Sequence, residues 1–253
     1  MDEWFSEIAA DYKLPEGVAE ELRDAGFVVM AGPLMRDRVS ALVAAYDLAV
    51  STAHSDDVSI GSTSIRVHDF VNRGPEFDCL YLYGPLLAAC CNVIRQPFKL
   101  STMLARTVTA HSSAQALHAD FREQDGWPMV GFIIMVDDFR ADNGATRFVP
   151  GSHFWPHAPA DVMQNPTADY EGQVLAMGRA GSIIIYNGSI WHGHTANITG
   201  RPRRSVQGAY IRRDAQAGFD HAARIGPATL SRIGSLAKYL LALPACYART
   251  HNH

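Results

Sequence analysis

The sequence has little of what marks the specialised classes of protein. Its 253 residues include only four cysteines, which form no Cys-x-x-Cys pair: Cys79, Cys90, Cys91 and Cys246. Neighbours such as Cys90 and Cys91 make a poor structural disulfide. The pattern argues against a disulfide-stabilised scaffold and predicts reduced, mostly buried thiols.

Long apolar runs and an excess of one charge are also missing. No stretch of 18 or more residues is wholly apolar, and residues 1–4 carry acids where a signal peptide carries bases. The net charge is only −4, which gives no reason to expect nucleic acid. We therefore expect a soluble, cytoplasmic protein with a small-molecule substrate and neither a membrane nor a nucleic-acid partner.

The apolar pattern predicts one domain, 1–253, with three parts. A helix-rich part, 1–97, contains a strand at 26–30, an amphipathic helix at 39–50 and a helix that starts at Pro85. In the second part, 98–213, short apolar runs alternate with turns such as Asn143-Gly144, at 103–109, 130–136, 145–149, 181–186 and 205–212. This part predicts a mainly β fold, a double-stranded β-helix or cupin-like jelly roll, with flanking helices.

The third part, 214–253, is a predicted helical tail. Its apolar residues fall on one helical stripe formed by Leu230, Ile233, Ala237, Leu240 and Leu241. Such a stripe either docks on the domain or forms a homodimer contact, and the pattern does not choose between the two.

One constellation points to chemistry. His118 and Asp120 are two residues apart, so on a strand they project to the same side, and His192 follows a predicted buried strand. Two imidazoles and one carboxylate can hold Fe(II) on one face and leave the opposite face open, as in oxygenases. A second pair, His54 and Asp56, lies in the polar stretch 51–64, which we interpret as a solvated loop without a strand pattern.

The surroundings of the first pair resemble a known family. Residues 117–121 read LHADF, 142–153 read DNGATRFVPGSH, 191–197 read WHGHTAN and 201–204 read RPRR. Together, and in this order, they are similar to the phytanoyl-CoA dioxygenase family of Fe(II)/2-oxoglutarate oxygenases. The resemblance runs from about residue 26 to residue 213 and is most specific between 117 and 204.

The resemblance implies roles for individual residues. It makes His118, Asp120 and His192 the iron ligands, and it makes Arg203 the partner of the distal carboxylate of 2-oxoglutarate, a task that suits the planar guanidinium. Arg201 and Arg204 are rivals to Arg203. On a strand Arg201 would share its face, whereas Arg204 would point away.

The sequence departs from the family pattern at two positions. His194 stands where relatives usually have a small residue such as serine; it competes with His192 as ligand, and we expect it instead to support the site or touch the co-substrate. Ala119 replaces a common glutamine, which puts that family contact in doubt. Asp120 itself argues against halogenation, because related halogenases have a small residue there.

The resemblance implies that Fe(II), 2-oxoglutarate and O2 oxidise an organic substrate, with release of succinate and CO2. Hydroxylation is the expected outcome; desaturation, cyclisation and epoxidation stay open. Loops 51–78, with Arg66, His68, Phe70 and Arg73, and 155–170 are candidates for the pocket mouth. Their mixed character favours a small to mid-sized, partly apolar substrate, such as a secondary metabolite. The alternatives are a zinc-dependent, non-oxidative cupin enzyme and a non-catalytic jelly-roll binding module.

Overall fold

The computed structural model describes residues 2–121 and 126–244. The α-helices in these residues are α1 (Glu3–Asp11), α2 (Val18–Asp24), α3 (Val39–Ser51), α4 (Asp78–Tyr81), α5 (Gly84–Ile94), α6 (Pro159–Val162), α7 (His221–Arg224), α8 (Pro227–Arg232) and α9 (Ser235–Leu240). The strands are β1 (Phe27–Ala31), β2 (Val58–Ile60), β3 (Ser64–Val67), β4 (Phe98–Val108), β5 (Met129–Met135), β6 (Thr146–Phe148), β7 (Val174–Ala176), β8 (Ser182–Asn187), β9 (His192–His194) and β10 (Arg203–Arg212).

The strands form two antiparallel sheets. The larger has the order β1-β8-β5-β10-β4-β3-β2, and the smaller has the order β7-β6-β9. Non-sequential neighbours such as β8, β5 and β10 show that the chain repeatedly crosses between the sheets, as a double-stranded β-helix requires. The predicted jelly roll is confirmed, and its five predicted core strands correspond to β4, β5, β6, β8 and β10.

The larger sheet separates a helical layer from a cavity. In β5, Val130, Phe132 and Ile134 belong to the main core with the helices, whereas Ile133 and Met135 belong to a second cluster towards the smaller sheet. This alternation follows from the period of two of a strand, and both faces are apolar because both are covered. The second face is the one that meets the functional site.

Helix α5 is the central helix of the helical layer. Pro85 stands in its first turn, and most of its residues are buried in the main core. One stretch, Pro75–Ile94, is long and apolar enough by length and composition to cross a membrane, and 56% of that window is buried. Packing of α5 in the core accounts for this hydropathy.

Two local predictions need correction. The stretch 51–64 was predicted to be a loop without a strand pattern, but it contains β2, a short edge strand. Because Ser59 and Ile60 of this strand are exposed, its sequence has no apolar pattern that would reveal a strand. The C-terminal stripe is not one helix, because α8 ends before Gly234 and α9 begins after it. Its residues Ile233, Ala237, Leu240 and Leu241 nevertheless pack in the main core. The cysteines Cys79, Cys90 and Cys91 are free, as predicted, but the prediction of mostly buried thiols is wrong for these three, because only Cys90 is buried; Cys246 lies outside the described residues.

We predict that Leu87→Ala lowers the free energy of unfolding by about 2–5 kcal/mol, because it leaves a cavity under α5. Leu87 is fully buried. The matched control is Leu48→Ala on α3, where the side chain is 65% exposed and the expected change is about 0.5 kcal/mol or less. Urea unfolding followed by circular dichroism measures both; equal effects would contradict the assignment of α5 to the core.

Candidate active site

Two chain segments meet at the mouth of the jelly roll, one that contains His118 and Asp120 and one that contains His192. The spacing had predicted that His118 lies on a strand. It lies instead in an extended segment outside the regular strands, and this segment forms an isolated β-bridge with His192 of β9. Its backbone N–H donates to the carbonyl of His192 at 3.0 Å, and the N–H of His192 donates back at 2.9 Å. Asp120 follows two residues later, and its N–H donates to Gly188 in the turn between β8 and β9.

This bridge brings three potential metal ligands together. Among the described residues, His118, Asp120 and His192 form a group whose ligand atoms all lie within 4.8 Å of one another. Asp120 Oδ1 is 3.5 Å from His118 Nε2, and Asp120 Oδ2 is 3.5 Å from His192 Nε2. Two imidazole nitrogens and one carboxylate oxygen this close together are a donor set that suits non-haem Fe(II).

Backbone carbonyls set the tautomer of both histidines. His118 Nδ1 is 3.1 Å from the carbonyl of Ala116, and His192 Nδ1 is 3.0 Å from that of Ile190. Because a carbonyl only accepts, each Nδ1 carries the proton. Each Nε2 therefore has a free lone pair on the side of Asp120, where it can bind a metal. Burial also lowers the pKa of His192 to about 4, so the imidazole is neutral, as a metal ligand must be.

Tyr186 at the end of β8 holds the carboxylate. Its hydroxyl donates to Asp120 Oδ2 at 2.8 Å, and its ring lies 4.8 Å from that of His192. Burial and the proximity of Asp120 raise the pKa of Tyr186 well above its usual value, so it remains a donor. Burial raises the pKa of Asp120, whereas positive charge on His192 or His118 and the hydrogen bond from Tyr186 lower it, and the lowering effects are the larger ones.

A glycine makes room for this tyrosine. Gly131 on β5 lies directly opposite Tyr186 in the sheet, and a Cβ at this position would be 2.1 Å from Tyr186 Cζ. The tyrosine ring thus lies across the backbone of Gly131. Sequence reasoning missed Tyr186, although a hydroxyl that ends an isoleucine run on the cavity-facing side was a signal.

The structure places His194 beside the metal cluster but not within it. Its Nδ1 is 2.8 Å from the carbonyl of Thr195, and its Nε2 is 2.9 Å from the hydroxyl of Thr63. Burial lowers the pKa of His194 to about 3. The carbonyl fixes the proton on Nδ1, so Thr63 donates to Nε2, and this hydroxyl occupies the lone pair that a metal would need.

Arg203 is buried at the start of β10 in the wall of the same cavity. Its guanidinium donates to the carbonyl of Gly144 at 2.7 Å and to the hydroxyl of Ser205 at 3.2 Å, and it lies 4.0 Å above the ring of Phe139. In the described part of the chain it has no carboxylate partner, and its Nε makes no hydrogen bond. Burial, with a smaller contribution from Arg106, lowers the pKa of Arg203 to about 9.

The two rival arginines have other surroundings. Arg204 faces away from the cavity, as predicted, and forms ion pairs with Asp137 and Asp47. Arg201 is exposed in the turn before β10. Of the three, Arg203 is therefore the one that lines the cavity.

Arg147 on β6 connects the cluster to a neighbouring loop. Its fully buried guanidinium donates to the backbone carbonyls of Gln115, Pro166, Thr167 and Ala168, all within 3.3 Å. Gln115 precedes His118 by three residues, so the clamp holds the segment that carries His118 and Asp120 against 166–168. Arg147 also pairs with Asp169, whose side chain is 85% exposed.

The cavity that contains the cluster has a volume of about 420 Å³, which is within the usual range for small-molecule sites. Its walls include the polar Gln115, Thr146 and Gln207 and the apolar Leu104 and Ile133. From the predicted mouth loop 51–78 only Arg66 lines it; Phe70 is core, His68 contacts Ser59 and Arg73 pairs with Asp57. Loop 155–170 lines a separate surface groove through Trp155, Pro156, Ala158 and Asp161.

A jelly roll with this donor set and a buried arginine in one cavity defines an iron- and 2-oxoglutarate-dependent dioxygenase. The chain belongs to the phytanoyl-CoA dioxygenase family, whose model matches residues 22–205. The family resemblance seen in the motifs is thereby confirmed.

Known proteins agree with this assignment. The dioxygenase cdmA of Talaromyces verruculosus is 43% identical over 93 residues, which are 33% of this chain and 30% of cdmA. The multifunctional dioxygenase prhA of Penicillium brasilianum is 27% identical over 210 residues, 75% of this chain and 69% of prhA. The crystal structure of HygX from Streptomyces hygroscopicus with nickel and 2-oxoglutarate bound has the same fold, with a TM-score of 0.64, 17% identity, and coverage of 81% of this chain and 90% of HygX.

We predict that Tyr186→Phe weakens binding of a divalent metal about tenfold, because Asp120 loses the donor that orients it. Titration with Mn(II), followed by electron paramagnetic resonance, measures the affinity without turnover. Tyr83→Phe is the matched control, since it removes a hydroxyl bonded to the carbonyl of Ala31 away from the site. If both variants bind Mn(II) as the unaltered protein does, Tyr186 does not orient the ligand.

Proposed function

We propose that this protein hydroxylates a small to mid-sized organic molecule in the cytoplasm, with release of succinate and CO2, and that residues 1–253 form one oxygenase domain. In this proposal His118, Asp120 and His192 hold Fe(II), and Arg203 binds the distal carboxylate of 2-oxoglutarate. The observation that carries it is the combination, in one cavity, of the His118, Asp120 and His192 cluster and a buried arginine that has no carboxylate partner among residues 2–121 and 126–244.

The isolation of Arg203 supports the co-substrate role. A charged group without an anionic partner is costly to bury, and a carboxylate ligand offsets that cost. The two terminal nitrogens of the guanidinium donate to the hydroxyl of Ser205 and the carbonyl of Gly144, which fixes the plane of the group, and Nε makes no hydrogen bond. A dicarboxylate that reaches from the metal cluster to Arg203 accounts for both features, whereas a zinc-dependent hydrolase or a binding module gives Arg203 no partner.

His194 has a supporting role in this proposal. Its bond with Thr63 ties β9 to the turn between β2 and β3, and its neutral imidazole adds no charge beside the co-substrate. We therefore assign to it a contact with, or the positioning of, 2-oxoglutarate rather than a metal bond.

Iron with bound 2-oxoglutarate supplies the activation of O2 and the oxidising power for attack on a C–H bond. The residues of the chain supply geometry. Tyr186 and the Nδ1 carbonyl contacts fix the three ligands, Arg203 fixes the co-substrate, and the apolar walls at Leu104 and Ile133 exclude water around the reacting carbon.

The substrate class rests on the cavity. Its volume and mixed lining fit an organic molecule with both apolar and polar parts, such as a secondary metabolite. The relative prhA is named a multifunctional dioxygenase. Hydroxylation is the simplest outcome for this chain. Desaturation, cyclisation and epoxidation are variations that depend on where the substrate carbon lies.

The first test concerns the metal ligands. His192→Ala should abolish binding of Fe(II), measured by anaerobic titration, because it removes one of three ligands. His194→Ala should retain most of the binding, since Thr63 and Thr195 already occupy both nitrogens of His194. Equal loss in the two variants would contradict the assignment of His192.

The second test concerns the co-substrate. Anaerobic addition of Fe(II) and 2-oxoglutarate should produce the visible charge-transfer band of a chelated 2-oxo acid. Arg203→Ala should raise the 2-oxoglutarate concentration needed for this band by about a hundredfold or more, because breaking a buried ion pair costs about 3–5 kcal/mol. Arg201→Ala, which removes an exposed arginine of the same segment, is the control and should leave the concentration unchanged. Absence of the band in the unaltered protein would sink the proposed function.

A further inference from the structure

The chain that follows β10 forms one edge of the cavity that contains the metal cluster. Gln216 and Gly218 line this cavity, although both lie beyond residue 205, where the match to the family model ends. They belong to residues 214–219, the C-terminal edge of the cavity. The matched family region therefore does not include this part of the wall.

A β-bulge anchors the C-terminal edge to β4. The pairing of β10 with β4 shifts after Ala209, so that Ser101 is an extra residue in β4. A bulge leaves such a residue without its partner in the ladder. Here the N–H of Gly218 donates to Ser101 Oγ at 2.9 Å, and the N–H of Phe219 donates to the carbonyl of Ser101 at 3.0 Å. The bulge thus provides the attachment point for the edge.

Gly218 allows the edge to come close to the cavity wall. A Cβ at this position would be 2.8 Å from Thr102 Cγ2, which is well inside the optimal separation of about 3.5–4.0 Å between carbon atoms. The backbone of the edge therefore lies against Thr102, and a larger residue at position 218 would push the edge outward.

The far end of the cavity lies away from Arg203. Arg203, Ala209 and Ile211 line the cavity in this order along one face of β10. In the proposed function the Arg203 end holds 2-oxoglutarate, so the far end is left for the substrate. The far end is lined by Thr102, Met129, Ala209, Ile211, Gln216 and Gly218.

The metal cluster lies beside the far end. Tyr186, whose hydroxyl donates to Asp120, is opposite Gly131 of β5, and Gly131 is opposite Ala209 of β10. Tyr186 and Ala209 therefore lie in one row across the larger sheet. A molecule in the far end is thus next to the cluster, as a substrate of this enzyme class must be.

The arginines of the cavity lie towards the other end. Arg106 on β4 is opposite Ser205 of β10, and Arg66 on β3 is opposite Arg106, so both are on the side of Arg203. Apart from the metal cluster, no charged side chain among the described residues that line the cavity belongs to the far end. The far end is therefore suited to an uncharged part of a molecule.

The far end has two uncharged groups that can form hydrogen bonds. Within residues 2–121 and 126–244, neither the hydroxyl of Thr102 nor the side-chain amide of Gln216 has a hydrogen-bond partner. The amide both donates and accepts, and the exposed position of Gln216 leaves it accessible at the rim. Ala209 and Ile211 beside it are apolar.

We propose that the C-terminal edge determines the substrate specificity of this enzyme, with Gln216 binding an uncharged oxygen group of the substrate, a hydroxyl or a carbonyl. This inference rests on the proposed function and names its substrate class: a neutral, oxygenated molecule whose hydrocarbon part lies against Ala209 and Ile211. Gly218 positions Gln216 through its contact with Thr102.

Contacts on both sides hold the edge in place. Before it, the guanidinium of Arg213 lies 4.0 Å above the ring of Tyr239 and donates to the carbonyl of Tyr239 at 3.0 Å. After it, Asp220 caps α7 by accepting from the N–H of Ala223 at 3.0 Å. A loop residue on a fixed scaffold is a common determinant of specificity.

The test compares two probes with the same carbon skeleton, 3-phenylpropan-1-ol and propylbenzene. The protein is loaded with Mn(II) and 2-oxoglutarate, and the broadening of probe resonances by Mn(II) in proton NMR measures binding near the metal without turnover. We expect Gln216→Leu to lower the affinity for the alcohol relative to the hydrocarbon about fivefold, because one hydrogen bond is lost. Gln164→Leu, which removes an exposed glutamine outside the cavity, is the matched control and should leave this ratio unchanged.

The contact between Gly218 and Thr102 has its own test. Gly218→Ala should push the edge outward and lower the same ratio. Thr102→Ser removes the Cγ2 methyl that the new Cβ would meet and keeps the hydroxyl, so adding it to Gly218→Ala should restore the ratio. Thermal unfolding followed by circular dichroism checks that the variants are folded. If folded Gly218→Ala has the unaltered ratio, or if Thr102→Ser does not restore a lowered one, Gly218 does not position Gln216.

The charge-transfer band separates this inference from the proposed function. If the band forms with Fe(II) and 2-oxoglutarate, but Gln216→Leu leaves the ratio unchanged, the specificity role is wrong while the oxygenase proposal stands. The specificity role is also wrong if Mn(II) broadens the resonances of neither probe, because the far end then takes no such neutral molecule. If the band never forms in the unaltered protein, the proposed function itself fails.

Discussion

The candidate site depends on two reciprocal backbone hydrogen bonds between His118 and His192. They join an irregular segment to the smaller sheet at the one place where both carry an imidazole. Because each histidine also donates from Nδ1 to a carbonyl two residues before it, the main chain sets position, tautomer and direction of both rings. The arrangement of the two imidazoles is therefore a property of the backbone, and the side chains of Asp120 and Tyr186 complete the candidate site.

The sequence predicted the parts of the site that follow from local spacing. The pair His118 and Asp120, the later His192 and the alternation of Arg203 and Arg204 on a strand are such features, and the structure brings together the three that should meet. It did not predict Tyr186, because its contact with Asp120 requires Gly131 on the opposite strand, and strand register is set by the whole sheet.

The same reasoning explains where the fold prediction succeeded and failed. Strands β4, β5, β8 and β10 are long and buried, so their apolar runs are visible in the sequence. The edge strand β2 is mostly exposed and has no such run. The opposition of Arg66 and Arg106 likewise follows from the pairing of β3 with β4, which neither segment encodes alone.

The clamp made by Arg147 bears on how this enzyme can diversify. Four of its acceptors are main-chain carbonyls, of Gln115, Pro166, Thr167 and Ala168, and every amino acid has a carbonyl. Substitutions in 166–168 therefore keep their anchor as long as the backbone path is preserved. The side chains of this loop can therefore change, by evolution or by design, while the segment with His118 and Asp120 on the other side of Arg147 keeps its position.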